Sequence, residues 1–143
     1  MDSRREVALQ VGLRDAGIDR GRLVGFLLDA MGALGAEVSV GVRVVGDRTM
    51  ATLNRKFRGK AGPTDVLSFP SGEPDETGLP YLGDIAIGGR VAERASKENG
   101  IGLEAEYKRL LLHGLLHLLG HDHETDGGRM VRKERTLRRR FGL

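Results

Sequence analysis

No cysteine occurs among the 143 residues. Disulfides and thiolate metal sites are therefore excluded, and the chain fits a reducing compartment such as the cytoplasm. Long apolar runs are missing too. None approaches the roughly 20 residues of a membrane span, and the opening MDSRREVALQV shows no signal-peptide hydrophobic region, so no membrane association is expected. Tryptophan is absent and aromatic residues make up only 4% of the chain, which leaves little material for stacking planar ligands. Net charge is small as well: 23 Lys and Arg against 20 Asp and Glu give +3, a weak argument for any polyanionic partner. The distribution says more than the total. Arg129, Arg132, Lys133, Arg135, Arg138, Arg139 and Arg140 crowd one stretch, and Arg55, Lys56, Arg58 and Lys60 another. Segregated basic patches of this kind can attract polyanions, although a charge run more often marks a solvated helix face.

What the chain does have is a concentration of histidine. All four, His113, His117, His121 and His123, fall in the single run HGLLHLLGHDH. His113 and His117 are four residues apart, so on a helix they share one face. The spacing H-x-x-x-H-x-x-G-x-x-H is a zinc-binding pattern in which Gly114 stands where a metalloprotease carries its glutamate base. Geometry selects the ligands. Zinc holds nitrogen donors at about 2.0–2.1 Å in a tetrahedron, whereas His113 and His121 would lie about 12 Å apart along one straight helix. If the helix ends at Gly120, in a left-handed conformation that glycine tolerates, the chain can double back and His123 can supply the third nitrogen. One zinc per chain, on His113, His117 and His123, is the expectation. Three protein ligands leave a fourth position open, the catalytic arrangement. A metal hydrolase is indicated, and a peptidase is disfavoured. His121 is expected to line the cleft or to support the ligands.

The remaining pattern predicts a single α+β domain over 1–143: a small mixed four-stranded sheet with about five helices, the metal site on a helix of the C-terminal half and the loop after it. Val7, Leu9 and Val11 alternate as a strand, as do Val38, Val40, Val42 and Val44. A helical stripe runs from Ile18 to Leu34 with Asp19 as its cap, and Asp47 is expected to cap a short helix carrying Met50, Leu53 and Phe57. Thr64 to Phe69 reads as a strand bounded by Pro63 and Pro70, which favours a sheet edge. Residues 71–80 form a polar loop and Tyr81 to Ile87 the fourth strand. Helices are predicted over Arg90 to Asn99, Leu103 to Leu119 and Glu124 to Arg140. Phe57 and Tyr81 could stack on a ligand but are assigned to the core.

Within Leu53 to Pro70, LNRKFRGKAGPTDVLSFP, Arg58 stands out because a guanidinium is always charged and can hold two phosphate oxygens at once. This block, the LGDI of Leu82 to Ile85 and the histidine run, in that order, together resemble the YbeY family of bacterial ribosomal-RNA maturation endoribonucleases. That family carries blocks close to L-N-x-x-Y-R-x-K-D-x-P-T-D-V-L-S-F-P, L-G-D-I and H-G-x-L-H-L-x-G-Y-D-H. Phe57, Ala61 and His121 depart from the family's tyrosine, aspartate and tyrosine; no metal ligand is lost.

The resemblance implies zinc on His113, His117 and His123, an Arg58 that serves cleavage of single-stranded RNA, and roles in maturing the 3′ end of 16S rRNA on the ribosomal small subunit and in ribosome quality control. Arg58, Lys60 and Ser68 are the substrate-binding candidates. For acid/base chemistry the candidates are His121, Asp122 and Asp65, with Asp122 equally able to orient a ligand histidine. Whether water or the RNA 2′-OH attacks phosphorus is open. Asp84 is assigned a structural hydrogen bond. The rival reading is a metal-stabilised ribosome assembly or RNA-binding factor with little nuclease activity. A metallopeptidase stands third.

Overall fold

The computed structural model describes residues 5–74, 76, 78–121 and 125–143. Nine elements follow one another: β1 (Glu6–Val11), α1 (Arg20–Ala33), β2 (Ser39–Val45), α2 (Asp47–Arg58), β3 (Val66–Pro70), β4 (Tyr81–Gly88), α3 (Gly89–Asn99), α4 (Leu103–Leu118) and α5 (Arg129–Arg140). The strands form one mixed sheet in the order β1-β2-β4-β3. β1, β2 and β4 run parallel, while β3 pairs antiparallel with β4 at the edge. Its flanking prolines explain that place: Pro70 has no N–H to give a second neighbour.

The pleat divides the side chains between two faces. On one face Val40, Val42, Val44, Ile85 and Ile87 meet Leu27, Met31, Tyr107, Leu111, Leu112, Leu115 and Leu116 in the main core. On the other, Met50 of α2 closes a smaller cluster with Val45, Leu67 and Ala86. β3 shows the alternation expected of it. Val66 packs into the main core, and Leu67 and Phe69 turn to the smaller cluster. α4 is the hub, packed against α1, α3, α5, β3 and β4. This explains its nearly continuous leucines: a helix covered on most sides buries most sides, each fully buried leucine being worth about 1.5–3 kcal/mol. The half-buried His113 and His117 interrupt that run on one stripe.

Two boundaries differ from expectation. Gly46, not Asp47, is the N-cap of α2. Asp47 sits in the first turn, where its charge suits the helix dipole, and its carboxylate pairs with Arg94 at 3.3 Å. α5 begins at Arg129 rather than 124. Asp126 sets that start by accepting from the N–H groups of Gly128, at 3.0 Å, and Met130, at 2.9 Å, so two amides at the start of α5 are satisfied by one side chain. No helix among the described residues is long and apolar enough to cross a membrane.

Candidate active site

α4 and the β3 edge diverge around an open cleft of about 880 Å³. Its walls include Phe57 and Arg58 from the end of α2, Asp65 to Pro70 along β3, and His113, His117, Gly120 and His121 from α4 and the turn after it. Segments more than forty residues apart in sequence thus meet in one place. The Ser68 hydroxyl donates to the Gly114 carbonyl at 3.2 Å and ties β3 to α4.

Gly114 has a structural reason to be glycine. An added Cβ would come within 2.9 Å of Ile85 Cγ2, because position 114 faces the sheet and α4 sits closely on β4. A side chain there would enter the core and not the cleft, so the missing protease glutamate is also a packing requirement.

His113 and His117 stack edge-on one turn apart, with ring centroids 4.8 Å from each other. His113 Nδ1 lies 2.8 Å from Glu134 Oε1 on α5, and Arg138 donates to the other oxygen of the same carboxylate at 2.6 Å. Burial pushes the Glu134 carboxyl up, but the hydrogen bond and charge of His113, with help from Arg138 and His117, outweigh it and hold the group below the ordinary range. A carboxylate on Nδ1 places the lone pair of a neutral imidazole on Nε2, the form in which histidine ligates a metal. The donor chemistry therefore fits zinc. His123 and Asp122 lie outside the described residues, and among those described no group of three His, Cys, Asp or Glu forms a metal-holding cluster.

Glu134 is the residue that sequence reasoning missed. Its contact with His113 spans 21 positions and follows no helical or strand period. One signal was available: Glu134 is the sole acidic residue of α5, RMVRKERTLRRR.

The other candidates divide. Arg58 closes α2 and is exposed in the cleft wall, and among the described residues no carboxylate pairs with it. Its position is set by the turn that follows. Gly59 adopts a left-handed φ of 66° and donates to the Arg55 carbonyl, while the buried Asn54 amide donates to the Gly62 carbonyl at 2.9 Å and folds the loop back. Lys60, on that loop, is exposed but is not among the residues lining the cleft. His121 lines the cleft, as expected, its backbone N–H closing the end of α4 on the Leu116 carbonyl. Asp65 accepts from the Val66 N–H at 2.8 Å and organises the turn into β3. Asp84 accepts a hydrogen bond from the Tyr81 hydroxyl, the structural role assigned to it. Phe57 departs from its core assignment: it is 56% exposed and packs edge-on against Phe69, with centroids 4.9 Å apart. It lines the cleft beside Arg58, with the Lys56 Nζ over its ring at 5.5 Å from the centroid.

The sequence and the fold have known counterparts. The family model described as Endoribonuclease YbeY matches residues 22–142. A protein named Endoribonuclease YbeY from Anaeromyxobacter sp. is 49% identical over 118 residues, covering 81% of this chain and 60% of the relative. Its namesake from Aquifex aeolicus is 47% identical over 109 residues, covering 76% of this chain and 71% of the relative. A solution structure from Thermotoga maritima superposes with a TM-score of 0.63 at 28% identity, covering 91% of this chain and 85% of that one. The chain spans less than two thirds of the length of the Anaeromyxobacter sp. relative and of another from Solibacter usitatus, at 60% and 64%. With a family match over 22–142, and with the histidine pair, Arg58 and the β3 edge gathered around one cleft, the chain belongs to the Endoribonuclease YbeY family.

Proposed function

We propose that the protein is a zinc-dependent endoribonuclease specific for single-stranded RNA, acting in the cytoplasm on the small ribosomal subunit in maturation of the 3′ end of 16S rRNA and in ribosome quality control. The observation that carries the reading is the cleft in which the stacked His113 and His117 share the walls with Arg58, a cation without a carboxylate partner among the described residues. Family membership supports RNA as the substrate, since the relatives bear the name endoribonuclease.

His113, His117 and His123 would hold one zinc, which when bound supplies a Lewis acid for a phosphoryl oxygen and lowers the pKa of a coordinated water. The chain's own residues do the rest. Glu134 fixes the His113 ring. Arg58 neutralises the charge that grows on the non-bridging phosphate oxygens, the contribution that often dominates such reactions. Lys60 adds positive potential on the approach, and Phe57 offers a base one stacking face. Ser68 commits its proton to Gly114, so toward substrate its oxygen can only accept. His121, which lines the cleft, and Asp122, outside the described residues, would be the groups that move a proton.

The test is metal-replete protein incubated with matched single- and double-stranded RNAs and with casein. Cleavage of the single strands alone, lost on chelation and restored by zinc, is the expected result. Intact RNA after incubation with fully metallated protein would replace the enzyme with a ribosome assembly factor, and chelator-sensitive casein cleavage would replace it with a peptidase.

A further inference from the structure

α5 carries seven cations, Arg129, Arg132, Lys133, Arg135, Arg138, Arg139 and Arg140, against the single carboxylate of Glu134. Against a whole-chain balance of +3, the +6 of this one helix leaves the rest of the molecule net negative. More net positive charge sits on α5 than on any other element, α2 following with Arg48, Arg55, Lys56 and Arg58 against Asp47. Met130 and Leu137 bury the inner face, and Arg129, Arg132, Lys133, Arg135, Arg139 and Arg140 are all exposed.

A solvated helix built for stability would not look like this. Cations are favoured in the last turn by the helix dipole, which accounts for Arg138, Arg139 and Arg140. Arg129 and Arg132 sit in or beside the first turn, where the dipole opposes them and no acidic residue is present. Arg129 with Lys133, and Arg135 with Arg139, are like-charge pairs at i,i+4, each mildly destabilising. Among the described residues, Arg129, Lys133, Arg135 and Arg139 have no carboxylate partner. The one acid on the helix is already held by His113 and Arg138.

We infer that the outer face of α5 is a docking surface for the phosphate backbone of RNA, holding the strand outside the cleft while the cleft engages the reacting phosphate. The inference rests on the proposed function for its ligand. Charge complementarity supports it: a face of about 18 Å, from 12 residues at 1.5 Å rise, presents cations along its whole length to a polymer with a charge at every nucleotide. The link from Glu134 to His113 joins this helix to the site, so an RNA lying on α5 is held next to the cleft. With aromatics at 4%, binding built on phosphates should ignore sequence.

The test replaces Arg129, Lys133, Arg135 and Arg139 together by Gln. A control variant removes four exposed charges from other surfaces, Arg20, Arg43, Arg48 and Lys97, also by Gln. Fluorescence anisotropy with a labelled single-stranded RNA is measured across a salt series, and circular dichroism checks the fold. The α5 variant should bind on the order of tenfold or more weakly, with the slope of log affinity against log salt shallower by about 0.7 for each phosphate it no longer neutralises. The control should move far less. Equal weakening in both variants would reduce the effect to net charge, and an unchanged slope in the α5 variant would make the helix a solvated face; either overturns the inference. So would a loss of binding to phosphatidylglycerol vesicles with RNA binding intact, which would make the partner a membrane surface. Binding is read without cleavage, so a parent that binds through α5 but cuts nothing would sink the nuclease reading and leave this one standing.

Discussion

Arg58 and Gly114 show how differently two residues of one cleft can be constrained. Arg58 is exposed and its side chain has no hydrogen-bond or ion-pair partner among the described residues, so its replacement should leave the fold and the zinc untouched. Losing a charge-stabilising donor typically costs about 2.7–4 kcal/mol, a hundred- to a thousandfold in rate. Single-turnover cleavage at saturating RNA, with zinc content measured in parallel, is expected to show that loss for Arg58→Ala. Parental cleavage combined with weaker binding would make Arg58 a docking residue instead. Gly114 is the opposite case. Alanine there forces Ile85 to shift, and overpacking of this kind costs about 1–3 kcal/mol. Glutamate must in addition bury a carboxylate against an apolar strand, a larger penalty. Thermal unfolding should therefore rank the parent above Gly114→Ala and Gly114→Ala above Gly114→Glu. A Gly114→Glu protein as stable as the parent would contradict the close approach of α4 to β4. The sequence made position 114 visible through the absent protease base, but the packing reason depends on Ile85, which no local pattern brings near. Glu134 was hidden for a related reason. Its partner is on another helix, and a salt-bridge partner across helices leaves no period to read.

Among the elements, those with a repeating apolar pattern were legible and their ends were less so. The valines of β2, the proline-bounded edge strand β3 and the Asp19 cap of α1, whose carboxylate accepts from the Arg22 N–H at 3.1 Å, are local signals that tertiary contacts did not override. The start of α2 was displaced because Gly46 caps it through an extended backbone, which no side chain announces. That of α5 was displaced because the Asp126 carboxylate holds the amides of Gly128 and Met130 beside a left-handed Gly128. α1 and α4 are clamped by a side-chain pair that no periodicity announces: Arg22 donates to both oxygens of Glu104, at 2.6 and 3.0 Å. The hydrogen bond from Arg22, with Lys108 assisting, holds the Glu104 carboxyl down to about 2. A depressed carboxyl contributes stability above its unfolded value, near 4.5, and loses it as pH falls toward 2. The pair is largely exposed, so the contribution is small. Melting curves of the parent and Glu104→Gln should differ at pH 7 and converge near pH 2. A difference that persists at pH 2 would mean that Glu104 acts through packing rather than charge.

For the molecule as a whole, the proposed metal centre rests on the histidine spacing together with the fold. The spacing of the histidine run points to His123, outside the described residues, while Glu134 supports His113 in the observed geometry. Elemental analysis of the four His→Ala proteins is expected to show zinc missing from His113→Ala, His117→Ala and His123→Ala and retained at one per chain in His121→Ala. Zinc absent from His121→Ala but present in His123→Ala would reverse the ligand assignment. Glu134→Gln should keep zinc but bind it about 10–100-fold more weakly in a competition titration, the usual cost of removing a carboxylate behind a ligand histidine. Undiminished affinity there would make the contact incidental.

The tie between His113 and Glu134 also makes the site answerable to packing some distance away. Glu134 can reach His113 only while Met130 and Leu137 keep α5 seated in the main core. Shortening either of those side chains would loosen the orientation of the His113 ring from beneath, at positions that form no part of the cleft wall.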